Sequence, residues 1–290
     1  MKQMLATMNC ICGAEAALKY SLKNDVYYCK NCELFFAPDT KFNLSFKSTL
    51  DERLRIEALK SLRELNFHKI LDELRIIIPS DSIGLEVGSS YGWFLKLATA
   101  RGINCIGVEP ERKIWEISKE EGFEVINGFF PDDLPAEYHS FDFIIFNDVL
   151  EHIPNVNYIL TKCYELLKPN GILVINIPQS TGFFYRTAHF LYKIGVKTYM
   201  NRLWQFDFHS PHLYYFNSKN LTSLLTCNHF DVFKYHKLDT LDIDSIDQRI
   251  KYDSLNKGKS SFITGVIKLL LPFVNHLNED IGCYYARKNN

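Results

Sequence analysis

The 290-residue chain has no excess of charge of either sign: 33 Lys and Arg stand against 34 Asp and Glu, a net charge of −1. No global field therefore draws it toward nucleic acid or an anionic membrane. It also lacks an apolar run long enough to cross a bilayer. The most apolar stretch, FITGVIKLLLPFV over 262–274, is too short and carries Lys268. The N-terminal MKQMLATMNCICG has no uninterrupted apolar core of the kind a secretory signal needs, so a cytoplasmic location is expected. Neither repeats nor low-complexity tracts stand out. A disulfide framework is also missing, because four of the eight cysteines (Cys105, Cys163, Cys227 and Cys283) are scattered singly. Apolar and aromatic residues are plentiful, at 47% and 14%. That is enough for one large domain with an appendage, or for two modest ones.

The chain divides into three units. Residues 1–40 hold Cys10, Cys12, Cys29 and Cys32 and no obvious helix. Residues 41–80 form a linker in which Leu59, Leu62, Leu65, Ile70 and Leu74 recur at helical spacing, predicting one helix or a broken pair. Residues 81–290 begin with short apolar strands alternating with amphipathic helices. SIGLEVGS (82–89), NCIGVEP (104–110), FEVING (123–128), FDFIIFND (141–148) and ILVINIP (172–178) are the strands. Apolar strands separated by helices predict a doubly wound, mostly parallel sheet with both faces covered. DQRIKYDSLNKGKSS (247–261) is expected to be a polar loop.

Ligands on such sheets bind beyond the carboxyl ends of the strands. Gly88–Gly92, Glu109, Gly128–Phe130 and Asn147–His152 all fall there. Two chemistries compete for GSSYG (88–92). It fits the G-x-S-x-G elbow of hydrolases, with Ser90 as nucleophile, but it follows the first strand and no oxyanion loop lies upstream. Glu109 ends the next strand 21 positions after Gly88, the offset at which a carboxylate meets a ribose diol. A dinucleotide loop would need a small residue near Trp93. The nucleoside reading without a pyrophosphate therefore stands ahead of the elbow.

In order and spacing, LEVGSSYGWFL, GVEPERKIWEISKEEGFEVINGFF, FDFIIFNDVLEHIPN and LLKPNGILVINIP resemble the class I S-adenosylmethionine-dependent methyltransferases. The variety most similar is the bacterial enzymes that methylate sugars or small metabolites and carry an N-terminal zinc ribbon. The likeness spans residues 82–178 and continues through SPHLYYFNSKNLTSLLTCNHFDV to the terminal DIGCYYARK. It implies a seven-stranded Rossmann-like sheet. Glu86, Gly88, Ser90 and Gly92 would hold the methionine part of S-adenosylmethionine, Glu109 the ribose, Phe129 the adenine, and Asn147 would line the channel beneath the sulfonium. Ser90 stands where the family has its middle glycine.

Methyl transfer to a hydroxyl needs a base, and histidine is the natural one near neutral pH. His152 in LEHIP and His209 and His212 in FDFHSPHLYYF are the candidates. The aromatic insert over 181–217 is expected to be a lid forming the acceptor pocket, and 262–274 a helix completing that pocket or a homodimer face. CKNCELFF has the spacing of half a zinc ribbon, whereas CICG has one residue between cysteines where two to four are usual. Alternate residues of a strand face opposite ways, so Cys10 and Cys12 need an irregular turn to share an ion, for which Gly13 is placed. Structural zinc is expected, since so short a segment cannot bury a core. A small-molecule acceptor is the leading expectation. An RNA methyltransferase gripping its substrate with the ribbon, which the neutral charge disfavours, and a non-catalytic cofactor-binding protein remain open.

Overall fold

The computed structural model describes residues 7–40, 52–240 and 280–289. The polar loop expected at 247–261 and the apolar segment at 262–274 lie outside them. The N-terminal strands are β1 (Thr7–Asn9), β2 (Glu15–Ser21), β3 (Asp25–Tyr28) and β4 (Phe35–Phe36), followed by one unbroken helix α1 (Glu52–Ile77). Then come β5 (Ile83–Val87), α2 (Trp93–Thr99), β6 (Asn104–Glu109), α3 (Arg112–Glu120), β7 (Val125–Asn127) and β8 (Phe141–Asn147). A 3-10 turn at Leu150–His152 leads into α4 (Val156–Leu166) and β9 (Leu167–Pro178). The insert folds as α5 (Phe183–Lys193), α6 (Thr198–Leu203) and β10 (Tyr214–Tyr215). Helix α7 (Ser218–Cys227), β11 (Phe230–Leu238) and β12 (Ile281–Lys288) close the domain.

Seven strands form the main sheet in the order β11-β12-β9-β8-β5-β6-β7. Strands β9, β8, β5, β6 and β7 are parallel, and β12 and β11 add antiparallel. The sheet is the mostly parallel, doubly wound one expected. Strand β8 shows why its apolar run is unbroken. Ile144 and Phe146 sink into the core on one face, with Leu160 and Leu225, while Phe143 and Ile145 join Leu71, Leu74 and Phe94 on the other. Both faces are covered, so both sets must be apolar. Gly84 is required by the close approach of β5 to β8: a Cβ there would lie 1.9 Å from Phe143 Cζ.

Helix α7 begins with a reciprocal cap. Asn217 Oδ1 accepts from the Asn220 N–H, and the Asn217 N–H donates to Asn220 Oδ1, both at 2.9 Å. That cap fixes the exit of β10, which matters because β10 completes a second sheet, β1-β2-β3-β4-β10. Tyr214 pairs with Phe36 and Tyr215 with Phe35. A third core binds the N-terminal segment to the insert, with Tyr20, Val26 and Ala37 packing among Tyr185, Trp204 and Tyr215.

Candidate active site

The turn after β5 has three left-handed residues: Gly88 (φ +71°), Ser90 (φ +49°) and Gly92 (φ +71°). At Gly88 a Cβ would also press on Val149 Cγ2 at 2.7 Å. Serine at the middle position adopts the conformation that usually favours glycine, at a cost of about 1 kcal/mol. The turn is held from below, because the Gly88 and Ser89 N–H groups donate to Val108 O at 2.8 and 3.0 Å. Ser90 N–H donates to Glu109 Oε2 at 2.9 Å, and Ser118 Oγ donates to Ser90 O at 2.6 Å. Glu109 is thus built into the loop it was expected to serve. Its other oxygen accepts from the Glu111 N–H at 2.8 Å. Burial pushes this carboxyl up to about 7, against the two N–H donors that favour its charged form.

Arg63, Phe67, Glu86, Gly88, Ser90 and Asn147 line one narrow cleft, with Tyr91 and Trp93 at its side. Asn147 Nδ2 donates to Glu86 Oε1 at 2.9 Å. Burial raises the Glu86 carboxyl to about 8, opposed by that hydrogen bond and reinforced by the charge of Glu109. Among the described residues, Glu86 Oε2 and Asn147 Oδ1 are buried without a hydrogen-bond partner. Two orphaned acceptors, one of them a carboxylate oxygen, suit an ammonium, which offers three donors and a positive charge. The site therefore fits the amino-acid end of S-adenosylmethionine. Gly128 N–H bonds Glu109 O at 3.2 Å, and Phe129 follows at the rim, 49% exposed, its N–H donating to Asp133 Oδ2 at 2.7 Å. Among the described residues no histidine lines the cleft, which speaks against the hydrolase elbow.

The histidines separate into two places. His152 and His212 meet with ring centroids 4.6 Å apart. Glu151 joins them, its ligand atom and theirs lying within 4.8 Å of one another. His209 is elsewhere, its Nε2 3.9 Å from Glu111 Oε2 on the Glu109 side of the rim. His152 Nδ1 lies 3.0 Å from Pro211 O. A carbonyl can only accept, so Nδ1 carries the proton and Nε2 is the basic nitrogen. That Nε2 is 3.9 Å from Glu151 Oε1. Glu151 is 1% exposed, and among the described residues neither of its oxygens has a hydrogen-bond partner. Burial first and the charge of Asp148 second hold its carboxyl well above the usual range.

Glu151, Arg63 and Phe67 were not expected from the sequence. Glu151 was overlooked beside a more conspicuous histidine. Arg63, on α1, reaches across to Asp148 at 3.7 Å, and no local motif marks it.

Cys10, Cys12, Cys29 and Cys32 converge, all four sulfurs lying within 4.8 Å of one another. Cys10 and Cys32 Sγ are 3.5 Å apart, Cys12 and Cys29 Sγ 3.6 Å. Tetrahedral zinc at 2.3 Å from each sulfur would set them about 3.8 Å apart, so the set fits the ion. The irregular turn that C-x-C requires is present: Gly13 (φ +83°) donates its N–H to Cys10 O, and Cys10 N–H donates to Ala14 O, both at 2.9 Å. On the other side Glu33 (φ +62°) donates to Cys29 O at 2.8 Å. All eight cysteines are free thiols.

This combination, a glycine-cornered turn tied to an acidic residue at the second strand's end, defines a nucleoside-cofactor enzyme of Rossmann-like architecture. Residues 57–235 match the family model described as a methyltransferase domain. Because that match covers more than half of the chain, the protein belongs to this family, the S-adenosylmethionine-dependent methyltransferases. It is 23% identical over 232 residues to the C-methyltransferase NovU of Streptomyces niveus, covering 77% of this chain and 48% of that protein. It is 26% identical over 149 residues to the ubiquinone biosynthesis O-methyltransferase of Agrobacterium fabrum, covering 48% of this chain and 53% of that one. The chain thus spans about half the length of either relative. Among solved structures, a SAM-dependent methyltransferase from Archaeoglobus fulgidus shares the fold (TM-score 0.52, 20% identity), with 82% of this chain and 99% of that one covered. So does a phosphoethanolamine N-methyltransferase from Haemonchus contortus in complex with S-adenosylmethionine, with TM-score 0.52, 18% identity, and 81% and 57% covered.

Proposed function

We propose that this enzyme methylates a small acceptor that must lose a proton, a hydroxyl or a carbon acid on a sugar, nucleotide-sugar or similar metabolite. The observation that carries this reading is the Glu151–His152–His212 cluster, set at the carboxyl end of β8 a few residues from Asn147. S-adenosylmethionine, when bound, supplies an activated sulfonium methyl. Glu86 and Asn147 would hold its ammonium, the Gly88–Gly92 turn its methionine backbone and Glu109 its ribose, and Phe129 would cover the adenine. What the chain adds is alignment and proton removal. Nε2 of His152, made basic by the Pro211 carbonyl on Nδ1, takes the acceptor proton. Glu151 lies 3.9 Å from that Nε2 as a buried acid whose raised pKa favours its neutral form, so the imidazolium returns its proton to solvent rather than to Glu151. His212 packs the imidazole edge-on and limits its rotation. His209, facing Glu111, serves the cofactor side.

We infer further that the four cysteines hold a structural zinc and that α5, α6 and β10 wall the acceptor pocket. The C-methyltransferase and O-methyltransferase names of the relatives support an acceptor deprotonated at carbon or oxygen. The test is His152→Asn, assayed by release of S-adenosylhomocysteine across a panel of nucleotide-sugars and phenols. Turnover should fall by about 10² or more, while S-adenosylhomocysteine binds within about threefold of wild type. Undiminished turnover in the variant would remove His152 as base.

A further inference from the structure

The chain is neutral overall, yet its charge is unevenly placed over the insert. Residues 181–206 contain Arg186, Lys193, Lys197 and Arg202 and no Asp or Glu. Helices α5 and α6 carry this segment beside the carboxyl rim, and only their inner positions are taken up by packing. Tyr185, Ala188 and Met200 are buried in the core shared with the N-terminal strands. The outer positions follow the complementary helical spacing: Phe183, Phe190 and Ile194 are 47%, 62% and 63% exposed. The turn between the helices continues the face, with every residue from Lys193 to Tyr199 exposed. Val196 and Tyr199 add their side chains to it. The apolar side chains thus protrude at a helix corner and are rimmed by cations. Lys193 and Lys19 converge near His189, where burial and then these two charges lower the imidazole pKa.

Solvated surfaces do not normally cluster large apolar groups at a protruding corner, and such patches mark contact sites. The charge decides among partners. A second copy docking this face on itself would set four cations against four cations, a like-charge contact that costs affinity. An RNA strand would take the cations and stack on Phe190 or Tyr199, but Ile194 and Val196 between them offer a base neither a stacking face nor a hydrogen bond. An anionic lipid surface matches both features, because its headgroups meet the Lys and Arg rim while Phe190, Ile194 and Val196 enter the acyl boundary.

We propose that the α5–α6 corner docks the enzyme reversibly on an anionic lipid surface, bringing the acceptor pocket to the membrane face. No helix among the described residues is long and apolar enough to cross a membrane, so the contact is peripheral. This goes beyond the proposed chemistry and does not depend on which group is methylated.

The experiment is co-sedimentation of the zinc-loaded full chain with vesicles of phosphatidylcholine mixed equally with phosphatidylglycerol, against phosphatidylcholine alone. The wild type should bind the mixed vesicles and not the neutral ones. Phe190→Ser with Ile194→Ser, and separately Lys193→Ser with Lys197→Ser, should each weaken binding about tenfold or more. None of the four side chains changed lines the cofactor cleft, so both variants should keep wild-type affinity for S-adenosylhomocysteine, which verifies the fold. Absence of wild-type binding overturns the proposal. So does binding that ignores the apolar pair while an oligonucleotide competes for it, which would indicate RNA. A dimer dissolved by the apolar pair would likewise overturn it in favour of a second copy.

Discussion

Glu109 is the residue on which cofactor recognition can be tested most sharply, because its protonation must change when the cofactor arrives. Its carboxyl lies near pKa 7 in the empty cleft, raised mainly by burial. A ribose diol donates two hydrogen bonds that only the carboxylate can accept together, so binding should favour the charged form and pull the pKa down. Below about pH 7 the free protein should hold a proton on this group that the complex releases. For a bound pKa at the ordinary carboxylate value, complex formation would release about 0.9 proton at pH 6, about 0.5 at pH 7 and about 0.1 at pH 8. The affinity should accordingly rise with pH, by nearly tenfold per unit below pH 6 and levelling above 7. Glu86, near 8, adds a second release if its charge faces the cofactor ammonium.

The assay is calorimetric titration with S-adenosylhomocysteine from pH 5.5 to 7.5 in two buffers of different ionisation enthalpy, which counts the protons directly. The upper limit keeps the ligand's own amine, an α-amino group near 8, protonated. Glu109→Gln should lower the released protons at pH 6 by about one, flatten the pH dependence correspondingly, and weaken binding roughly 10- to 100-fold through the loss of charge-assisted hydrogen bonds. Equal proton release in wild type and variant would refute the placement of Glu109 on the ribose.

Three other perturbations separate the parts of the site. Glu151→Gln removes a carboxyl whose folded pKa is raised, so the wild type carries an extra proton when folded and loses stability as pH rises above the ordinary carboxylate range; urea denaturation at pH 8 should find the variant at least about 1 kcal/mol more stable, although its turnover falls. Ser90→Gly should leave cofactor affinity within about threefold and raise stability slightly, whereas Ser90→Val, β-branched at φ +49°, should cost about 1–2 kcal/mol by thermal denaturation. Stripping metal with a chelator, or Cys32→Ser, should lower the melting temperature and impair acceptor turnover, while S-adenosylhomocysteine affinity changes much less.

The parts legible in the sequence were those whose cause is local. Strand β8 was visible because both faces of a parallel strand are buried, which leaves a continuous apolar run. Glu109 was visible because a βα unit has a nearly fixed length, so a loop and the next strand's end keep a fixed offset. The cysteines were recognisable by residue type, although the C-x-C half required a turn at Gly13 that only the folded backbone displays. What stayed hidden depends on distant pairing. Two residues of β10 pair with two of β4, from the other end of the chain, and no two-residue strand has a periodicity to detect. Arg63 reaches the cleft only because α1 packs against α2, with Phe67 edge-on to Phe94 at 5.4 Å. The histidines were recognised as a group, but the hydrogen bond from His152 Nδ1 to Pro211 O that sets the tautomer, and the displacement of His209 to Glu111, follow from the path of the insert.

That path also explains why metal loss should damage one half of the site and spare the other. The cofactor half is made of turns anchored to β5, β6 and β8, in the interior of the main sheet. The acceptor half is held from the N-terminal side. Ala37 N–H donates to Leu213 O at 2.9 Å, and Leu213 N–H donates to Glu151 O at 2.8 Å. Two backbone hydrogen bonds therefore connect the end of the N-terminal segment to the buried acid beside His152. Lys219 pairs with Glu33 at 2.6 Å, and Glu33 sits between Cys32 and Leu34 in the second cysteine turn. Buried Tyr20, Val26 and Ala37 already pack this segment against the insert, and Tyr27, Leu34 and Phe36 pack it against the main core. A tetrahedral ion fixing all four sulfurs would fix β4, and β4 fixes β10. On the proposed reading the N-terminal segment would act as the far wall of the acceptor pocket, and a metal held by the four cysteines would be part of what keeps His152 and His212 in contact.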